Sequence, residues 1–179
     1  MIPRGANSEN ESHGKLIASG LTPAAEIASD DEVDLKLLQK MSGRATQYIS
    51  SFSWCEGVLE SYFAGGLGGI FAVFFFHIRP SRPEVDPWIW IMVGDIPSAY
   101  LPLSDCRSPS EALDTYIEGM SKWIELARQG KTGTAEQGVP PVNVPATPEW
   151  AERLRQKLDG LKEIVRPFFE NGDDTSSIR

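Results

Sequence analysis

Six side chains in this 179-residue chain have the chemistry to act on another molecule or to grip one: His77, Arg79, Trp88, Trp90, Asp95 and Tyr100. An imidazole can pass a proton near neutral pH, a carboxylate can orient it, and an arginine or a phenol can steady an anion. Asp95 sits in the turn Gly94-Asp95-Ile96-Pro97, directly after an apolar run, and turns at strand ends often carry function. If His77, Arg79, Asp95 and Tyr100 converge, they form a small polar site above an aromatic sheet. The simpler reading keeps each residue local: His77 is a partly buried, hydrogen-bonded histidine at a sheet edge, and Asp95 caps its own turn. Trp88 and Trp90 offer large contact areas, either to a core or to a partner.

Other catalytic kits are thinly supplied. Cys55 and Cys106 lack CxxC spacing and read as reduced thiols of a cytoplasmic protein. A Cys-His pair using His77 stays open, because such partners meet only in the fold. There is no HxH, HExxH or GxSxG, so neither a metal site nor a serine nucleophile is expected. Gly66 and Gly68 begin a dinucleotide-like G-x-G, but Phe71 stands where the third glycine belongs and no Lys-Ser/Thr follows. No cofactor is expected.

The elements that must position these residues are clearer. Residues 61–76 carry no formal charge, yet the stretch is too short and too rich in glycine to span a membrane. It reads instead as a hairpin: GVLESYFA, a GGLGG turn, then IFAVFFFHI, a strand apolar on both faces and therefore covered on both sides. Pro80, Pro83 and Pro87 mark a loop, WIWIMV resumes as a second two-faced strand, and AYLPL forms a short edge strand around Pro102.

Three helices flank the sheet. One spans roughly residues 31–51; a second follows Ser108-Pro109 with Glu111 completing a capping box; the third begins at Thr147-Pro148 and is ended or distorted by Pro167. Residues 131–146, rich in glycine and proline, join the last two as a surface lid or a tether. The expected fold class is α+β, an antiparallel meander of three or four strands with three flanking helices. Residues 1–29 and 172–179 are small and polar and are expected to be disordered, leaving 30–171 as a single domain. Arg4 has no apolar segment behind it, so the start does not read as a secretory leader.

Lys and Arg number 17 against 25 Asp and Glu, a net charge of -8 with no basic cluster, which argues against nucleic acid and suits a basic protein partner. Three helices cannot cover both faces of a sheet so rich in Phe and Trp. A second copy or another protein is therefore expected to cover the remainder.

The segment WIWIMVGDIPSAYL, with SSFSWC and IFAVFFFHI before it, resembles a set of small bacterial proteins that share W-x-W-x-x-V-G-D-x-P-x-A-Y-L. In them the tryptophan strand is followed by a helix similar to SPSEALDTYIEGMSKWI. The likeness spans residues 48–127 and implies one coherent domain, with no activity attached. The expectation from residue chemistry is a non-enzymatic protein-binding module: an inhibitor, an immunity factor or an accessory subunit. The alternative is a small-ligand binder or enzyme with a pocket opening near residues 94–99.

Overall fold

The computed structural model describes residues 4–170, with side chains at residues 8–169. In order they form α1 (Arg4–Ser19), β1 (Thr22–Pro23), α2 (Glu32–Ser50), β2 (Cys55–Leu67), β3 (Phe71–Pro80), β4 (Trp88–Gly94), β5 (Ala99–Pro102), α3 (Pro109–Arg128), α4 (Pro148–Ile164) and α5 (Pro167–Glu170). The strands make one antiparallel sheet in chain order, so the protein is an α+β fold built on a five-stranded meander. The extra strand is β1, only two residues long, with Thr22 opposite Phe63 and Pro23 opposite Tyr62.

The glycine run bends the chain later than its composition implies. Gly65, Gly66 and Leu67 continue β2, and the turn is confined to residues 68–70. Asp34 of α2 anchors it by accepting the Gly68 N–H at 2.7 Å. Ile70, expected in the strand, is exposed in this turn. β2 carries irregularities in register at Cys55/Gly57, Val58/Glu60 and Phe63/Gly65. Such bulges twist a strand and blunt its free edge.

Alternation along β3 divides the core in two. Phe71, Val73 and Phe75 join Trp88, Trp90 and Met92 beneath α3 and α4. Ala72, Phe74, Phe76 and Ile78 join Ile89, Ile91 and Val93 beneath α2. Each wholly buried Phe contributes roughly 1.5–3 kcal/mol by leaving water.

α3 follows its expected pattern, with Leu113, Tyr116, Ile117, Met120, Trp123, Ile124 and Ala127 all buried. Its capping box is only half formed. Ser108 Oγ accepts the Glu111 N–H at 3.1 Å, while the Glu111 carboxylate accepts the Arg107 N–H rather than that of Ser108. α4 stops before Pro167, and the break changes the helical phase, so that Phe169 is buried and Phe168 is exposed.

The leader departs most from expectation. Instead of disorder it supplies α1, whose Gly14 lies flat on the Trp88 indole so closely that any Cβ there would enter the ring. Gly5, Asn7, Asn10 and Gly14 make a poor helix by propensity. Docking carries it: Ala18 is buried and Ile17 and Leu21 pack on the same core. α1 is the fourth long helix that the composition did not offer. With α1 over Trp88, α2 over Phe74 and Phe76, and α3 and α4 over Phe71, Phe75 and Trp90, all six rings are 0% exposed. The aromatic face that was expected to need a partner is covered by this chain itself. The expected tail, residues 172–179, lies outside the described residues. Among the described residues no helix is long and apolar enough to cross a membrane.

Candidate functional site

His77 and Asp95 lie at opposite ends of the β3–β4 pair. His77 is opposite Trp88, whereas Gly94, just before Asp95, is opposite Phe71. Six residues of strand separate the two ends, about 20 Å. Tyr100 faces the α2 side, packed with Phe52 and Trp54 at centroid distances of 5.2 and 5.1 Å, while His77 faces the other side of the sheet. Arg79 is exposed two residues beyond His77. The four polar candidates do not form one site.

The His77 end is mostly covered, with the His77 side chain 16% exposed and the facing carboxylates of Glu11 and Glu60 33% and 51% exposed. The imidazole stacks on Trp88 at 4.1 Å with a 1° interplanar angle, in a central strand rather than at a sheet edge. Its Nδ1 is 3.3 Å from Glu60 Oε2, and its Nε2 is 3.6 Å from Glu11 Oε2. Glu11 also accepts the Trp88 indole N–H at 3.1 Å. Partial burial would raise the Glu11 carboxyl, but the hydrogen bonds from Trp88 and Lys15 and the charges of His77 and Lys15 outweigh it, and the net shift is downward. Nearby Asp86 is pushed the other way. Burial raises it, opposed by the N–H groups of Trp88 and Ser104 and reinforced by the charges of Asp105 and Glu11.

Trp90, the other tryptophan candidate, donates its indole N–H to the Cys106 carbonyl at 2.8 Å inside the core. Neither thiol is primed for attack. Burial raises both, and their hydrogen-bond partners are the Gly57 carbonyl for Cys55 and Thr115 Oγ1 for Cys106. Among the described residues no group of three or more His, Cys, Asp or Glu side chains could hold a metal.

The Asp95 end is open. A cleft of about 1350 Å³ lies among the 94–98 turn, the C-terminal end of α2, the 132–146 connection and one face of α4. Tyr48, Phe52, Trp123 and Trp150 give it aromatic walls, and Pro97, Pro140 and Pro141 extend them. Burial, with the neighbouring Tyr100 phenol, pushes Tyr48 up to about 12, so it stays a neutral donor. The connection left open as lid or tether is therefore a wall of this cleft.

Local geometry fixes the turn from several directions. Gly94 has φ +158°, and a Cβ there would collide with the Ile70 carbonyl. The Asp95 N–H donates to that carbonyl at 2.9 Å. Arg44 Nη2 donates to the Gly94 carbonyl at 3.3 Å, and the buried Tyr116 hydroxyl donates to the Pro97 carbonyl at 2.8 Å. Lys157 Nζ reaches across from α4 to Asp95 Oδ1 at 2.8 Å. Asp95 thus does not simply cap its own turn; its carboxylate binds a side chain 62 residues away.

Sequence reasoning identified Asp95 and missed Lys157, Arg153 and Trp150 as its neighbours. Trp150 is 37% exposed, with the Arg153 guanidinium 5.1 Å above its ring. The available signal was the spacing 150, 153, 157, which puts one aromatic and two cations on a shared helical face. The cleft can hold a molecule by apolar contact and charge, but none of its walls offers an imidazole or a thiol. Compared with protein-family models, curated proteins and solved structures, the chain matches none of them.

Proposed function

We propose that this protein works by binding another protein, and that an extended segment of that partner lies in the cleft beside the 94–98 turn. The observation that carries the reading is the cleft itself. At about 1350 Å³ it exceeds the roughly 300–1,000 Å³ usual for small-molecule sites. Its walls of tryptophan, tyrosine and proline resemble the aromatic grooves that receive extended chains. The sheet edges are poor alternatives: β2 is interrupted by three bulges, and β5 is four residues long and ends in Pro102. An inhibitor, immunity factor or accessory subunit of a bacterial cytoplasm would use such a groove without chemistry of its own.

A display library of random twelve-residue segments, selected on the intact protein, tests this. The expected result is enrichment of segments whose binding is lost in the double variant Trp150→Ala, Arg153→Ala while its melting temperature stays near wild type. Absence of enrichment, or equal binding to that variant, overturns it. The second reading, a small ligand in the same cleft, is favoured by the pocket opening at residues 94–98. It predicts a bound compound of defined mass in native mass spectrometry of the purified protein.

A further inference from the structure

The cleft differs in charge from the chain around it. The protein carries a net charge of -8, yet the charged residues lining the cleft are Asp95, Arg153 and Lys157, two cations to one anion. Both cations are held by exchangeable partners. Lys157 pairs with Asp95 at 2.8 Å, but the two side chains are 47% and 72% exposed; Arg153 pairs with Glu149 at 2.8 Å, and both of those are more exposed than Lys157. Ion pairs this wet are worth about 0–1 kcal/mol, so an incoming carboxylate can replace either internal one at little cost. Arg153 and Lys157 stand one helical turn apart, with side-chain origins about 5–6 Å from each other. Trp150 lies one turn earlier on the same face and supplies an apolar contact beside them.

Resting on the reading above, we infer that the segment taken up by the cleft is acidic: it sets a carboxylate on Lys157 in place of Asp95, with Arg153 receiving a second, and lays an apolar or proline residue against Trp150. Asp95 is then an internal stand-in for the ligand, occupying Lys157 while the cleft is empty. The acidic character is local to the segment. A partner strongly acidic throughout would be repelled by the rest of this surface.

The test uses the segments recovered from the twelve-residue library, synthesised as selected and with every Asp and Glu changed to Asn and Gln. Binding is followed by fluorescence anisotropy at low and high salt, against the wild type, Lys157→Gln and Asp95→Asn. Neutralised segments should bind about fivefold more weakly or worse, and Lys157→Gln should lose a similar factor. Asp95→Asn should tighten binding of acidic segments severalfold, because it removes the competitor for Lys157 while the backbone bond to Ile70 remains. A purely structural role for the Asp95–Lys157 pair would give no gain. The inference is overturned if neutralised segments bind as tightly as acidic ones, or if Asp95→Asn fails to tighten them. Selection of neutral segments only sinks this inference and leaves the binding cleft standing; selection of none sinks both.

Discussion

At the Trp88 end of β4 an imidazole, two carboxylates and an indole are packed against one another beneath α1; at the Gly94 end a carboxylate, a lysine and an arginine meet across open space. The closed group has the residue types of an active site and is spent on holding a helix to a sheet. The open group has the residue types of an ordinary turn and an ordinary helix, and it keeps charges that water can reach. The difference lies in who the partners are. At the Trp88 end the carboxylates of Glu11 and Glu60 are 33% and 51% exposed, but they converge on an imidazole and an indole packed between α1 and the sheet, whereas the pairs that cross the cleft have water on both sides and remain exchangeable.

Four experiments would break or sharpen this contrast. The largest effect is expected from Trp88→Ala, which empties the closed end: it should cost about 3–5 kcal/mol in chemical denaturation and free α1. If stability barely changes, the closed end is not structural. At the open end Trp150→Ala should leave stability within about 1 kcal/mol, yet weaken segment binding by about thirtyfold, as for a tryptophan anchor. Equal losses in both assays would erase the distinction between the ends.

Gly14→Leu should push α1 off the indole at a cost of about 1–3 kcal/mol. Hydrogen exchange should then speed up in α1, with the protection of β3 and β4 maintained and segment binding unchanged. The smallest effect is in acid. Glu11 is held below its ordinary range in the folded state, so its contribution is complete above the unfolded value, near 4.3, and is lost as pH falls through the lowered one. Amide exchange in α1 should therefore accelerate on acidification relative to α3, and Glu11→Gln should remove that dependence. An α1 equally protected at every pH would show that Glu11 does not fasten it.

The sheet was legible in the sequence because continuous apolar runs between glycine and proline breaks leave few alternatives for residues 71–78 and 88–93. α3 was legible from its Ser108-Pro109 start and from seven apolar residues at helical spacing. α1 was not, because its helicity comes from contact with Trp88, 74 positions beyond Gly14, and its own residues argue against a helix. Ile17, Ala18 and Leu21 were the only hint, and they are too few to outweigh the polar background. The cleft was half legible. The turn after an apolar strand marked residues 94–98 as a place for function, and a pocket does open there. Its other walls come from the ends of α2, the connection and α4, segments that nothing local to Asp95 connects. The simpler reading of His77, a partly buried and hydrogen-bonded histidine, fits the structure except for its place in a central strand; its partners Glu11 and Glu60 were not legible, because their approach is set by tertiary structure.

The turn at Gly94 is tied to Ile70, Arg44, Tyr116 and Lys157, residues drawn from four separate parts of the chain. Each of these ties closes a long stretch of chain and costs loop entropy that no local segment recovers by itself. The groove is thus a product of the assembled topology rather than a local loop with a shape of its own. Whatever settles in it binds the finished topology and not the unfolded chain, and so raises the unfolding midpoint of the whole molecule with the logarithm of its free concentration once that exceeds Kd. A protein made this way would couple its own lifetime to the filling of the groove.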